Sequence, residues 1–228
     1  MVKVYSGIRE AKQIFFCLRS EFGEDVELLS QLNQLLPKVE NFVKMIDETV
    51  DFDAYDEDKS YKVKASFDEN LGELREQLDT IKDEIKSLPS KEARSLGIAE
   101  TSLKLESAPA QNGYYFRVTL KDEKHLRSNK KVTIIDSAKS GVKFRTPNLE
   151  RLNSEYRDLE RAYEAQQQSV IDEVVGVAHG YHGHVRDLGL VVSEIDCFVS
   201  LAVAADSAPT PYVKPTLNDE GRLDLTKG

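Results

Sequence analysis

The sequence predicts a mainly α-helical chain with a small antiparallel β region, arranged as an elongated helical stalk tipped by a small sheet. Three observations predict it. Apolar residues recur at 3-4 spacing over three long stretches. That period gives way to alternation only between residues 101 and 146. Breakers are scarce, with 12 Gly and 7 Pro in 228 residues. The composition, 40% hydrophobic and 31% charged, fits amphipathic helices that keep one face in water, and it excludes collagen-like, low-complexity and disordered chains.

The N-terminal stripe is Ile8, Ala11, Phe15, Leu18 and Phe22, followed by Leu29, Leu32, Leu36, Val39, Val43, Ile46 and Val50. Pro37 lacks an N–H and crowds the preceding turn, so a helix end is expected near Leu35 with a restart at Pro37. An acidic run, Asp47 to Asp58, closes the segment. The next stripe is Phe67, Leu71, Leu74, Leu78, Ile81, Ile85 and Leu88. Ser66 with Glu69 has the capping-box spacing at its start, Pro89 interrupts it, and Gly97 is the expected stop. The longest stripe runs from Leu149 through Leu152, Tyr156, Leu159, Tyr163, Val170, Val174 and Val177 to Leu188, Ile195 and Ala202. As one helix it would be roughly 80 Å long. Gly176, Gly180, Gly183 and Gly189 weaken its middle, so a kink or break is expected near 176–184.

Between the last two stripes the period changes. Tyr114, Phe116, Val118 and Leu120 alternate with Tyr115, Arg117, Thr119 and Lys121, as in a strand. Val132–Ile135 is β-branched, and 141–145 alternates again. Thr146 then caps and Pro147 opens the last helix. Because matching stripes flank the β region, an antiparallel pairing of helices 67–96 and 147–178 is expected, with the outer segments pairing beyond it.

The net charge of −9 excludes attraction of the whole molecule to a polyanion, so any nucleic-acid surface must be local. Such a surface is visible. Residues 111–145 hold nine basic side chains (Arg117, Lys121, Lys124, Arg127, Lys130, Lys131, Lys139, Lys143, Arg145) against three acidic ones, a net of +6 that leaves −15 on the rest. Long cations and small amide or hydroxyl donors suit phosphate contact, and the run Lys121, Lys124, Arg127, Ser128, Asn129, Lys130, Lys131 supplies both. It lacks the interleaved aromatics of single-strand binders, so contact to the sugar-phosphate backbone is expected rather than base reading. The competing reading is that these lysines solubilise sheet edges, and that the chain is a coiled-coil scaffold or partner-binding rod with no nucleic-acid role.

Other chemistry is weakly supported. His179, His182 and His184 cluster among glycines at a helix break without the ligand set of a zinc site, so no metal is expected. Cys17 and Cys197 suggest a reducing compartment and are expected as small core residues. No secretory signal is expected. The run Val191–Ala205, interrupted by Ser193, Glu194 and Asp196, is expected to be too broken to span a bilayer, so no membrane partner is expected.

Several of these stretches resemble a known family. Gly113-Tyr-Tyr-Phe-Arg-Val-Thr119, Lys124-His-Leu-Arg127 and Gly141-Val-Lys-Phe144 resemble the clamp domain of eukaryotic MutS homologues of DNA mismatch repair, within them the homologue-two branch. Val63-Lys-Ala-Ser-Phe-Asp68 resembles the entry into that clamp, and Leu149–Tyr156 its exit. Ala208-Pro-Thr-Pro-Tyr-Val-Lys-Pro215 is similar to the start of the family's ATPase domain. The resemblance implies late lever helices over 1–59, a clamp over 60–156, a returning lever helix over 157–206 and the start of an ATPase domain over 207–228. It implies a double-stranded DNA partner, with Arg127, Ser128, Asn129 and Lys130 as the leading backbone contacts, a sister MutS homologue as heterodimer partner, and nuclear residence. ATP and magnesium are implied for a longer parent. No G-x-x-x-x-G-K-[ST] loop is present, so this chain is expected to be non-catalytic, a piece comprising lever and clamp.

Overall fold

The computed structural model describes residues 1–23, 26–54, 61–108, 113–127, 132–217, 219 and 221, with only the backbone of His125 and Arg127. Long helices dominate and two small antiparallel sheets complete the fold. The chain divides into two compact units, Met1–Met45 with Ala178–Gly228, and Ile46–Val177.

The first unit is helical. α1 (Val2–Phe22) buries Tyr5, Ile8, Ala11 and Phe15. α2 (Glu27–Thr49) buries Leu29, Leu32, Leu36, Val39 and Phe42 here. Pro37 does not end it: the helix runs through. One backbone hydrogen bond is lost, while Leu36 and Val39 on either side keep their places in the core, and that burial offsets the loss. α5 (Pro147–His179) and α6 (His182–Asp206) are separated at Gly180 and Tyr181, inside the stretch where a break is expected. Beyond the break the Tyr181 ring packs on Phe42 at 5.9 Å. α6 buries Leu188, Val191 and Ile195. By length and composition His182–Asp206 is long and apolar enough to cross a membrane, its most apolar 18 residues having a mean hydropathy of 1.9. The expectation drawn from Val191–Ala205 alone is corrected to that extent, since Leu188 and Leu190 extend the apolar run on its N-terminal side.

Both cysteines are exposed, which corrects the expectation of core thiols. Each lies two residues past a buried one, Cys17 after Phe15 and Cys197 after Ile195. Two helical steps rotate a side chain by about 200°, to the opposite face. Both thiols are therefore expected to react with a disulfide reagent such as DTNB in the folded protein without denaturant; slow labelling that needs urea would contradict this placement.

In the second unit, β1 (Val50–Asp51) and β2 (Lys62–Val63) pair antiparallel, and the Val63 amide donates to the Gln167 side chain at 3.4 Å. α3 (Glu69–Leu96) follows. Its N-cap is Asp68, whose Oδ1 accepts from the Leu71 amide at 2.9 Å, so the Ser66–Glu69 capping box does not form. The carboxylate is the stronger acceptor and sits one residue before the first helical position. Pro89 lies inside α3, again without breaking it, and Gly97 ends it in the left-handed conformation at φ 67°. Gln166 donates to Asp68 at 3.1 Å, and Asn148 donates to Glu92 at 2.9 Å. The pairing order is reversed along the two chains, so α3 and α5 are antiparallel, as the stripes predict.

Between these helices lies a four-stranded antiparallel sheet in the order β3 (Lys104–Ala108), β4 (Gly113–Val118), β6 (Gly141–Arg145), β5 (Thr133–Ala138). Leu120 is not part of β4; it lies in a 3-10 turn, Leu120–Asp122, and is exposed. One sheet face packs on the helix pair. Phe116, Val118, Val142 and Phe144 join Ile85, Leu88, Leu96, Leu149 and Leu152 in a single core. Thr146 accepts from the Leu149 amide at 3.4 Å and Pro147 opens α5, as expected.

Candidate nucleic-acid interface

The outer face of the sheet is polar and internally paired. Glu106 on β3 is opposite Tyr115 on β4. Its carboxylate accepts from the Tyr115 hydroxyl at 3.1 Å and pairs with Arg117 Nη2 at 2.6 Å. Lys143 on β6 is opposite Arg117, and its ammonium lies 5.3 Å from the Tyr115 ring centre. Loss of solvent holds the Tyr115 phenol above its ordinary pKa, and the hydrogen bond to Glu106 raises it further. Arg145 Nε donates to the Tyr114 carbonyl at 3.1 Å. Three of the nine cations, Arg117, Lys143 and Arg145, therefore make contacts within the sheet.

Lys121, Lys124 and Lys139 are placed differently. All three are exposed, at the end of the sheet where β4 finishes and the β5–β6 hairpin turns. Gly141 brings the two together. Its φ is +129°, and a Cβ there would run into the Val118 carbonyl oxygen, so only glycine lets the hairpin close on the end of β4. Arg117 Nη1 fastens the same turn by donating to the Ser140 carbonyl at 3.3 Å. Lys121 follows in the 3-10 turn, where Thr119 Oγ1 donates to Asp122 at 2.9 Å. Lys124 rides on the short helix α4 (Glu123–Arg127), which is plugged into the core by Leu126. With Leu126 inward, Lys124 two positions earlier is turned outward.

The Arg127 backbone ends α4, and its side chain lies outside the description. Ser128, Asn129, Lys130 and Lys131 lie outside the described residues. Lys139 and Ser140, which the expected contact set does not include, are exposed at the same end of the sheet. Their signal is the hairpin spacing, Lys139-Ser140 between two alternating runs and closed by Gly141, which places both at a loop tip. His179 and His182 stack at 5.8 Å, and among the described residues no group of three or more His, Cys, Asp or Glu could hold a metal ion.

The helix–sheet–helix segment is shared with known proteins. Residues 66–162 match a family model described as MutS family domain IV. Over 228 residues the chain is 34% identical to DNA mismatch repair protein spellchecker 1 of Drosophila melanogaster, covering 99% of this chain and 25% of that protein. The chain belongs to the MutS family. Within it, yeast (Saccharomyces cerevisiae) DNA mismatch repair protein MSH2 is 34% identical over 83% of this chain and 20% of its own length. The more distant MutS of Clostridioides difficile is 20% identical over 90% of this chain and 21% of its own length. This MutS-family chain spans about a quarter of the length of the relatives it matches. The likeness extends through the helices outside residues 66–162 as well, since the match to the Drosophila protein covers 99% of this chain.

Proposed function

We propose that this chain grips the sugar-phosphate backbone of double-stranded DNA through the basic end of its sheet, as the clamp and lever of a mismatch-repair protein. The observation that carries this reading is the gathering of Lys121, Lys124 and Lys139 at one exposed end of the sheet, on a chain whose net charge is −9. Ammonium groups on turns suit phosphates, which they meet as point charges without reading bases. Arg127, Ser128, Asn129, Lys130 and Lys131 continue the same segment in sequence and are proposed as further contacts. The likeness to proteins named for DNA mismatch repair supports the assignment. Mismatch recognition, ATP hydrolysis with magnesium, nuclear residence and pairing with a sister MutS homologue are proposed for the longer protein in which this segment works. The layout proposed with it is late lever over 1–59, clamp over 60–156, returning helix over 157–206 and ATPase start over 207–228.

The test is duplex binding by the chain as a function of salt. A plot of log affinity against log salt is expected to be linear and to flatten by about one unit for each phosphate contact removed, first with Lys121→Ala and then with Lys139→Ala added. A scaffold without a nucleic-acid role would show no slope to flatten.

A further inference from the structure

Asn153 lies in the second turn of α5 and is 2% exposed, one of four buried polar or charged side chains among the described residues. Its carboxamide faces the backbone of Tyr114 in both senses. Nδ2 donates to the Tyr114 carbonyl at 2.8 Å, and Oδ1 accepts from the Tyr114 amide at 3.0 Å. The sheet register explains why. β6 pairs with β4 from Phe116↔Phe144 to Val118↔Val142 and then leaves for Thr146 and the helix, so Tyr114 has no strand partner on that side. Asn153 takes the place of the missing strand residue. Gly113 makes room for it: its φ is +114°, and a Cβ there would come within 2.9 Å of Asn153 Oδ1.

We infer that the Asn153–Tyr114 bracket is the positioning joint that aims the basic end of the sheet relative to α5. β4 starts at this joint and ends at Val118, about 13 Å further on at a strand's rise per residue, where the lysines begin. One end of a short stiff strand is fastened to the long helix, and the other carries Lys121 and, through Gly141, Lys139. Asn153 touches no phosphate in this scheme; it acts through β4. The inference rests on the DNA-gripping reading for its consequence, but the joint itself is measurable without DNA.

The measurement uses the full chain with Cys17→Ser and Cys197→Ser, spin labels at Ser137→Cys and Glu164→Cys, and pulsed dipolar spectroscopy. Both label sites are exposed and lie in the second unit. With Asn153 intact, one narrow distance is expected. Asn153→Asp keeps the volume but loses the donated bond and sets a carboxylate against a carbonyl; it is expected to broaden or shift the distance while the helical circular dichroism is retained. Gly113→Ala, which pushes on the same carboxamide from the other side, is expected to do the same, and the two changes together to add nothing further. Duplex affinity is expected to fall about fivefold at every salt concentration with the salt slope unchanged, since the phosphate contacts remain but must be oriented on binding. An unchanged narrow distance in both variants overturns the joint. Absence of salt-dependent duplex binding by the parent chain overturns the gripping reading instead and leaves the distance measurement to decide the joint.

Discussion

Phe144→Ala is expected to lower the stability of the second unit by about 3–5 kcal/mol, read as a shift of the urea midpoint with the slope retained. Phe144 is fully buried, opposite Phe116 in the register, with ring centres 5.7 Å apart. It stands where the sheet, α3 and α5 meet, so the void left by a methyl side chain is walled by three elements that cannot all move in. With domain stabilities on the order of 5–15 kcal/mol, a loss of this size takes a large share of the total. Phe144→Leu keeps most of the volume and is expected to cost about 1–1.5 kcal/mol. Equal effects of the two replacements would mean that this site is looser than its burial indicates.

Gly141→Ala is expected to cost about 2–4 kcal/mol, for a different reason. The added methyl meets a backbone carbonyl, which cannot rotate aside as a side chain would, and φ +129° is strained for any L residue. The hairpin must lift from the end of β4, so the change is expected to disturb Lys139 and the Arg117–Ser140 contact together. Gly176→Ala is the control: it has open space around it and ordinary helical φ, and it is expected to stabilise the helix by up to about 1 kcal/mol. A Gly141→Ala protein with unchanged melting would contradict the close approach described for the hairpin.

The helices were legible because one-sided burial imposes its period directly on the sequence, and the boundaries at Gly97, Thr146–Pro147 and Gly180 were legible because their chemistry is local. Pro37 and Pro89 were misleading. Each is a strong local breaker, but the cost of one missing hydrogen bond is decided against the burial of Leu36 and Val39, or of Leu88 and Ala93, which depends on distant partners. β3 was invisible for a related reason. Lys104–Ala108 has no β-branched residue, and it is a strand because β4 offers it an edge. The basic end of the sheet was legible as a charge count, but its membership was not. Arg117 counts as a cation in sequence and is paired with Glu106 across a strand boundary, whereas Lys139 reaches the exposed end only through the hairpin that Gly141 closes.

The nesting of the sheet between α3 and α5 has a consequence for how the chain acquires its structure. The helix pair joins residues as far apart as Asp68 and Gln166, while β3–β4 and β5–β6 are neighbouring hairpins. Collapsing residues 97–146 into hairpins first draws Leu96 and Pro147 together, so the two helices zip from that end without confining a long floppy loop. The expected nucleus is thus the sheet with the adjoining ends of α3 and α5, the helices closing progressively away from it.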